Sequence, residues 1–193
     1  FGGFDGVDAE WMIRNIPRQR TLPLMLIPGS ERVIARRFQP FVEQLDRFYR
    51  SIAETTGCRV IVDSSKLPVY GYMLRLLPSV DVHVVHLVRD PRGTQYSWVR
   101  RQQRGDERFE DHSVSASSVQ WTMLNVSHEL MSVSDRQHYL RLRYEDFIKD
   151  PIPVIERIKT FIGEPNLGLP RIVDRQIHLS LNHIVAGSEN RSE

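Results

Sequence analysis

The stretch that most constrains this chain is Val82–Arg101, VHVVHLVRDPRGTQYSWVRR. Val82, Val84, Val85, Leu87 and Val88 dominate its opening, a short β-branched run of the kind buried in a parallel sheet. The chain then turns at Arg89-Asp90-Pro91. Asp90 is a good N-cap and Pro91 is preset for the first helical position, so a helix is predicted to start there. A strand running into a helix N-terminus makes an anion site, because backbone N–H groups and the helix dipole face whatever lies above. Arg89 adds a fixed cation at the strand end, and Ser97 and Arg101 lie one turn apart on one helix face. The segment reads as a phosphate cradle. The same residues also fit a buried strand followed by a basic, solvated helix.

Length and composition bound the rest. The 193 residues suit one domain, 1–193, of which 164–193 is a loop-rich tail. Hydrophobic residues at 40% and charged residues at 26% are globular values, and a net charge of +2 is too small to imply nucleic acid. The Arg-rich run from Arg89 to Arg108 is a local basic surface, enough to attract a phosphorylated ligand. Cys58 is alone, which excludes an intrachain disulfide and a Cys-based metal cluster. The seven His are scattered without metal-ligand spacing, and no apolar stretch approaches membrane-spanning length. A cytoplasmic location is the default expectation.

Elsewhere the elements follow from periodicity and punctuation. A short helix over Asp8–Ile16 would turn Trp11 and Ile16 inward, and Pro28-Gly29-Ser30 reads as a plain turn. Ser30 can cap a helix over Glu31–Phe38. Pro40 opens another that runs to Thr56 and stops at Gly57, with Phe41, Val42, Leu45, Phe48, Tyr49 and Ile52 as its core stripe. Arg59–Asp63 is predicted as a strand with Lys66 just beyond its carboxyl end, followed by a helix over Leu67–Leu77. Crevices at the carboxyl ends of parallel strands are where open α/β sheets bind ligands. Lys66 is therefore a candidate for the same ligand as Arg89, or a surface Lys beside a turn. A helix from Ser113 to about Ser132 carries an apolar stripe of Val119, Met123, Val126 and Leu130, with Trp121 outside it. Gln137–Tyr144 alternates like a strand near a sheet edge, and Pro151–Ile162 is a further helix stopped by Gly163. His83 and His86 sit on an otherwise apolar strand, where a His is usually a satisfied core residue. They and His183 are left out of the catalytic set.

The string HLVRDPRGTQYSW resembles the 3′-phosphate-binding segment of sulfotransferases that use 3′-phosphoadenosine 5′-phosphosulfate (PAPS). In that family an apolar strand precedes Arg-Asp/Asn-Pro-Arg/Lys, and a Ser follows eight residues after the first Arg; Arg89 and Ser97 have that spacing. Lys66-Leu67-Pro68 is similar to the Lys-Asp-Pro of tyrosylprotein sulfotransferases, whose Lys faces the transferring sulfuryl group, though Leu67 replaces the Asp. LRLRYEDFIKDP resembles the family's Arg-Tyr-Glu-Asp segment, in which the Tyr reaches the nucleotide, so the resemblance gives Tyr144 that contact; the alternative is a core aromatic at a strand end. His183–Arg191 looks like a degraded His…Gly-Asn-Pro-x-Arg segment, which would assign Gly187 and Arg191 to closure over the 3′-phosphate.

The resemblance implies an α/β fold: a three-layer domain with a mainly parallel sheet, of the P-loop nucleotide-kinase-like, sulfotransferase type. Strands Arg59–Asp63 and Val82–Val88 would form its βαβ unit. It implies sulfuryl transfer from PAPS to a small-molecule, carbohydrate or peptide acceptor. Lys66 would be catalytic, the donor would be held by Arg89, Ser97, Arg101, Tyr144, Gly187 and Arg191, and no metal would be needed. The family's Gly-rich phosphate loop, roughly Gly-x-x-Arg-Ser-Gly-Thr-Thr, has no counterpart here. The expectation is a chain truncated before its first strand and phosphate loop. The alternative is a domain that binds adenine nucleotides or partners without catalysis.

Overall fold

The structure, a computed structural model, describes residues 8–27, 29–103, 114–168, 172–173 and 176–177, with the backbone alone at 97–99, 101–103, 114, 134 and the last two pairs. Two compact units divide it, residues 1–145 and 146–193. In the first, α1 (Ala9–Asn15), a 3₁₀ turn (Gln19–Thr21) and α2 (Leu22–Met25) precede α3 (Glu31–Arg37), α4 (Gln39–Thr56) and α5 (Pro68–Leu74). Strand β1 (Val84–Val88), α6 (Pro91–Gln103), α7 (Val114–Ser134) and β2 (Tyr139–Arg143) follow, and α8 (Tyr144–Lys149) begins where the first unit ends. The second unit holds α9 (Pro151–Phe161) and an antiparallel pair, β3 (Ile172–Val173) with β4 (Gln176–Ile177).

Helix α4 carries the core. Phe41, Val42, Leu45 and Tyr49 recur at helical spacing and are buried with Met25, Ile34, Val69, Met73 and Leu77. Gly57 ends the helix in the left-handed conformation (φ 65°) that a Cβ would oppose, and Gly163 follows α9 in the same way (φ 72°). Asp46 is buried on the same helix. It accepts from the Ser79 backbone N–H (3.1 Å), the Ser79 hydroxyl and Arg50. Burial works against its charge, but these donors outweigh burial and hold its pKa below the usual carboxylate range.

β1 and β2 pair in parallel, Val84 opposite Tyr139 through Val88 opposite Arg143. Leu140 and Leu142 are buried and alternate with exposed Arg141 and Arg143, as the sequence pattern predicts. β1 differs from its expectation. His86 is its buried residue, while Val85 and Leu87 are 37% and 46% exposed. The inward face of β1 thus sets one polar residue, His86, between half-buried Val84 and Val88, and His86 is satisfied by partners. Asn125 donates its amide N–H to the Trp121 carbonyl (2.7 Å), which turns its oxygen toward His86 Nε2 (3.0 Å). Nε2 must then carry the proton, and Nδ1 accepts from the Tyr139 hydroxyl (2.5 Å). His128 stacks on the ring at 5.1 Å. Burial lowers the pKa of both His, so His86 is the satisfied core residue expected of a His on an apolar strand.

Helix α7 also presents a face other than the expected one. Its inward residues are Ser117, Trp121, Asn125, His128 and Met131, whereas Val119, Met123, Val126 and Leu130 are exposed. The predicted stripe has the right period but faces solvent. Ile16 is likewise exposed, while Trp11 packs on the core. Ser30 precedes α3 without a side-chain cap, its hydroxyl buried and lacking a partner among the described residues.

Arg59–Asp63 is not a strand: no described segment pairs with it, and Val62 is 88% exposed. Periodicity reports an extended backbone, but a strand also needs a ladder partner. Side-chain bonds hold this segment instead. Asp63 accepts from the Ser65 backbone N–H (2.7 Å), the Ser65 hydroxyl and the Tyr49 hydroxyl, and Tyr49 meets Tyr70 at 3.1 Å. Burial opposes the Asp63 carboxylate, but the Ser65 and Tyr49 hydrogen bonds prevail and its pKa is lowered.

Two outcomes follow from this packing. Met131 is fully buried, with its Cε 3.1 Å from where a Cβ on Gly71 would stand, and joins α7 to α5. Met131→Ala should cost about 2–5 kcal/mol by urea unfolding. Asp63 holds its proton less tightly folded than unfolded, so its stabilisation is present above about pH 4 and fades as pH falls. Asp63→Asn should flatten the acid limb of the stability–pH curve; an unchanged limb overturns the assignment.

Candidate functional site

The parallel register brings the carboxyl ends of β1 and β2 together, so the residues that follow them, Arg89-Asp90 and Tyr144-Glu145, become neighbours. Asp90 caps α6 as its sequence predicts. Its carboxylate accepts from the Arg92 backbone N–H (2.8 Å), and its carbonyl accepts from the Thr94 N–H (3.1 Å). The Asp90 N–H donates to Glu145 Oε1 at 2.8 Å, locking one strand–helix junction to the other. Glu145 is the Glu of the Arg-Tyr-Glu-Asp string, to which the sequence assigned no role.

Arg89 and Tyr144 meet directly: the guanidinium lies 4.9 Å from the ring centroid. On its other side is Gly93 in the first turn of α6, where a Cβ would stand 3.3 Å from Arg89 Nε and 3.6 Å from Nη2. A Cβ there would push the guanidinium aside by a few tenths of an ångström. An exposed cation–π contact is worth about 0.5–1 kcal/mol, enough to orient the guanidinium but not to neutralise it. Among the described residues no carboxylate pairs with Arg89.

The adjacent cation is different. Arg92 forks onto Asp90 (Nη2 to Oδ2 2.8 Å, Nε to Oδ1 3.1 Å), and its hydrogen bond is the main cause of an Asp90 pKa pushed down to about 2. Arg92 is thus paired in place, whereas Arg89 pairs with no described carboxylate.

Ser97 and Arg101 lie one turn apart on the α6 backbone that leads from this junction; their side chains are outside what is described. Gly187 and Arg191 lie outside the described residues. Lys66 is exposed in the loop between Asp63 and α5 and makes no hydrogen bond or ion pair with a described residue. It does not follow a strand, as expected, but a turn held by Asp63, Tyr49 and Tyr70. The sequence flagged none of these three, since Tyr49 reads as one more core residue.

No helix among the described residues is long and apolar enough to cross a membrane. Neither the curated proteins nor the solved structures compared with the chain gave a match. The family described as the sulfotransferase domain matches residues 16–184, well over half of the chain and inclusive of both strand–helix junctions. With its helices and small parallel sheet, the chain is an α/β protein, and it belongs to the sulfotransferase family, whose enzymes transfer sulfuryl groups and generally take them from PAPS.

Proposed function

We propose that the chain binds PAPS with its 3′-phosphate at the β1–α6 junction and serves sulfuryl transfer to an acceptor hydroxyl or amine. The observation that carries this reading is Arg89, oriented by Tyr144 and Gly93 at a helix N-terminus and unpaired with any described carboxylate. A planar guanidinium held this way suits bidentate contact with a phosphate. Ser97 and Arg101 extend the clamp along α6, and Gly187 and Arg191 would close it. Lys66 is assigned to the oxygen that bridges phosphorus and sulfur.

The donor supplies an activated sulfuryl group. The acceptor oxygen or nitrogen forms a bond to sulfur as the bond from sulfur to the 5′-phosphate oxygen breaks, leaving 3′,5′-bisphosphoadenosine. The acceptor proton leaves to a base. Such a transition state is loose and in line, so the protein contributes mostly position and positive charge on the leaving oxygen. Arg89 fixes the nucleotide, and Lys66 stabilises the leaving charge. The alternative reading is a module that binds the nucleotide or a protein partner without turnover.

Calorimetry with 3′,5′-bisphosphoadenosine, 5′-AMP and ATP separates these readings from a phosphoryl-transferring enzyme. Preference for the 3′-phosphate supports the assignment, and equal or absent binding refutes it. Arg89→Ala should weaken bisphosphate binding by about 1.5–3 kcal/mol, roughly 10- to 150-fold in Kd. Gly93→Val should weaken it by displacing the guanidinium while every phosphate-binding side chain stays present. Unchanged affinity in that folded variant would remove the Gly93 part of the assignment. Lys66→Ala should lower turnover and leave bisphosphate affinity nearly intact; loss of both together would place Lys66 on the nucleotide instead.

A further inference from the structure

The opposite ends of the same two strands hold a second constellation. His83 stands immediately before β1, His138 immediately before β2, and Asp81 two residues ahead of His83. Parallel pairing draws the three together. Asp81 Oδ1 is 3.6 Å from His138 Nε2, Asp81 Oδ2 is 3.9 Å from His83 Nδ1, and one ligand atom from each residue lies within 4.8 Å of the others. The two imidazoles meet edge to face, centroids 4.9 Å apart.

We propose that Asp81, His83 and His138 form a site for a divalent first-row transition metal of the zinc or cobalt type, with Asp135 as its orienting carboxylate. Ligands about 2.0–2.2 Å from a tetrahedral ion lie about 3.4 Å apart. The two Asp81–histidine separations exceed this by a few tenths of an ångström and the third lies within 4.8 Å, so an ion would draw in both the Asp81 side chain, 74% exposed, and the two rings. His138 is already set for the role. Asp135 Oδ2 lies 2.8 Å from its Nδ1, and the His138 backbone N–H donates to Asp135 Oδ1 at 3.2 Å. A carboxylate can only accept, so in the neutral ring Nδ1 carries the proton and Nε2 presents its lone pair toward Asp81. This is the carboxylate–histidine arrangement by which ligating imidazoles are held on metals.

The setting favours a cation. The open cleft beside these residues, about 290 Å³, is lined by Glu31, Asp81 and Asp135 against Arg75. Two imidazoles and one carboxylate select zinc, cobalt, nickel or copper over magnesium or calcium. Three protein ligands leave a fourth position for water. The ion would tie the amino ends of β1 and β2 together, while Arg89 and Tyr144 stand at their carboxyl ends. Its effect is therefore on the stability of the ladder, and the proposal does not depend on the nucleotide assignment.

The test uses the untagged chain stripped with a chelator and titrated with Co(II), then Zn(II). One equivalent of Co(II) should give visible d–d absorption that Zn(II) abolishes, and Zn(II), but not Mg(II), should raise Tm. Asp81→Asn and His138→Gln should lose the cobalt spectrum and the zinc-dependent rise, while Asp81→Asn keeps the metal-free Tm. Asp135→Asn should bind Zn(II) about 10- to 100-fold more weakly. No cobalt absorption and no zinc-dependent Tm shift in the unsubstituted chain would overturn the site. So would retention of both signals in Asp81→Asn and His138→Gln, which would place the ion on other histidines or Cys58.

Discussion

Five residue pairs of parallel ladder, Val84–Val88 against Tyr139–Arg143, hold together two segments more than fifty residues apart in the chain. Parallel strands point the same way, so whatever follows each strand converges at one end and whatever precedes each converges at the other. That geometry alone makes neighbours of Arg89, Asp90, Tyr144 and Glu145. It also assembles Asp81, His83 and His138 at the far end. The Asp90 N–H bond to Glu145 extends the ladder's logic past the last strand residue, so the two helix starts are held in register.

The ladder is kept in place by polar groups that leave no buried demand unmet along β1. His86 donates to Asn125 and accepts from Tyr139, and both partners have their orientation set by further contacts or by the strand itself. Leaving one such group without its partner costs about 1–3 kcal/mol. Helix α7 meets this demand through Asn125; it turns Ser117 and His128 inward as well and carries Val119, Met123, Val126 and Leu130 outward.

The contrast between Arg89 and Arg92 shows how charge is allotted at the carboxyl end. Both flank Asp90 in sequence. Arg92 spends its donors on that carboxylate, and Arg89 is steered away from it by an aromatic face and a missing Cβ. A basic segment thus contains one cation that is internally compensated and one that is presented to the outside. Composition counts both as +1; only geometry separates them.

The sequence determined by itself what local chemistry can encode. Asp90-Pro91 starting a helix, Gly57 and Gly163 stopping two others, the α4 stripe and the alternation of β2 are all written in residues a few positions apart. The two motifs, one carrying Arg89 and Ser97 and the other Tyr144, were legible for the same reason and sufficed to indicate the family. Tertiary structure alone decided which extended segments find a partner, and Arg59–Asp63 finds none among the described residues. It alone decided which face of α7 and β1 turns inward, because period gives spacing but not direction. It also brought together histidines that look scattered along the chain: His83 and His138 lie far apart in sequence, and only a hydrogen-bonded ladder places their rings in contact.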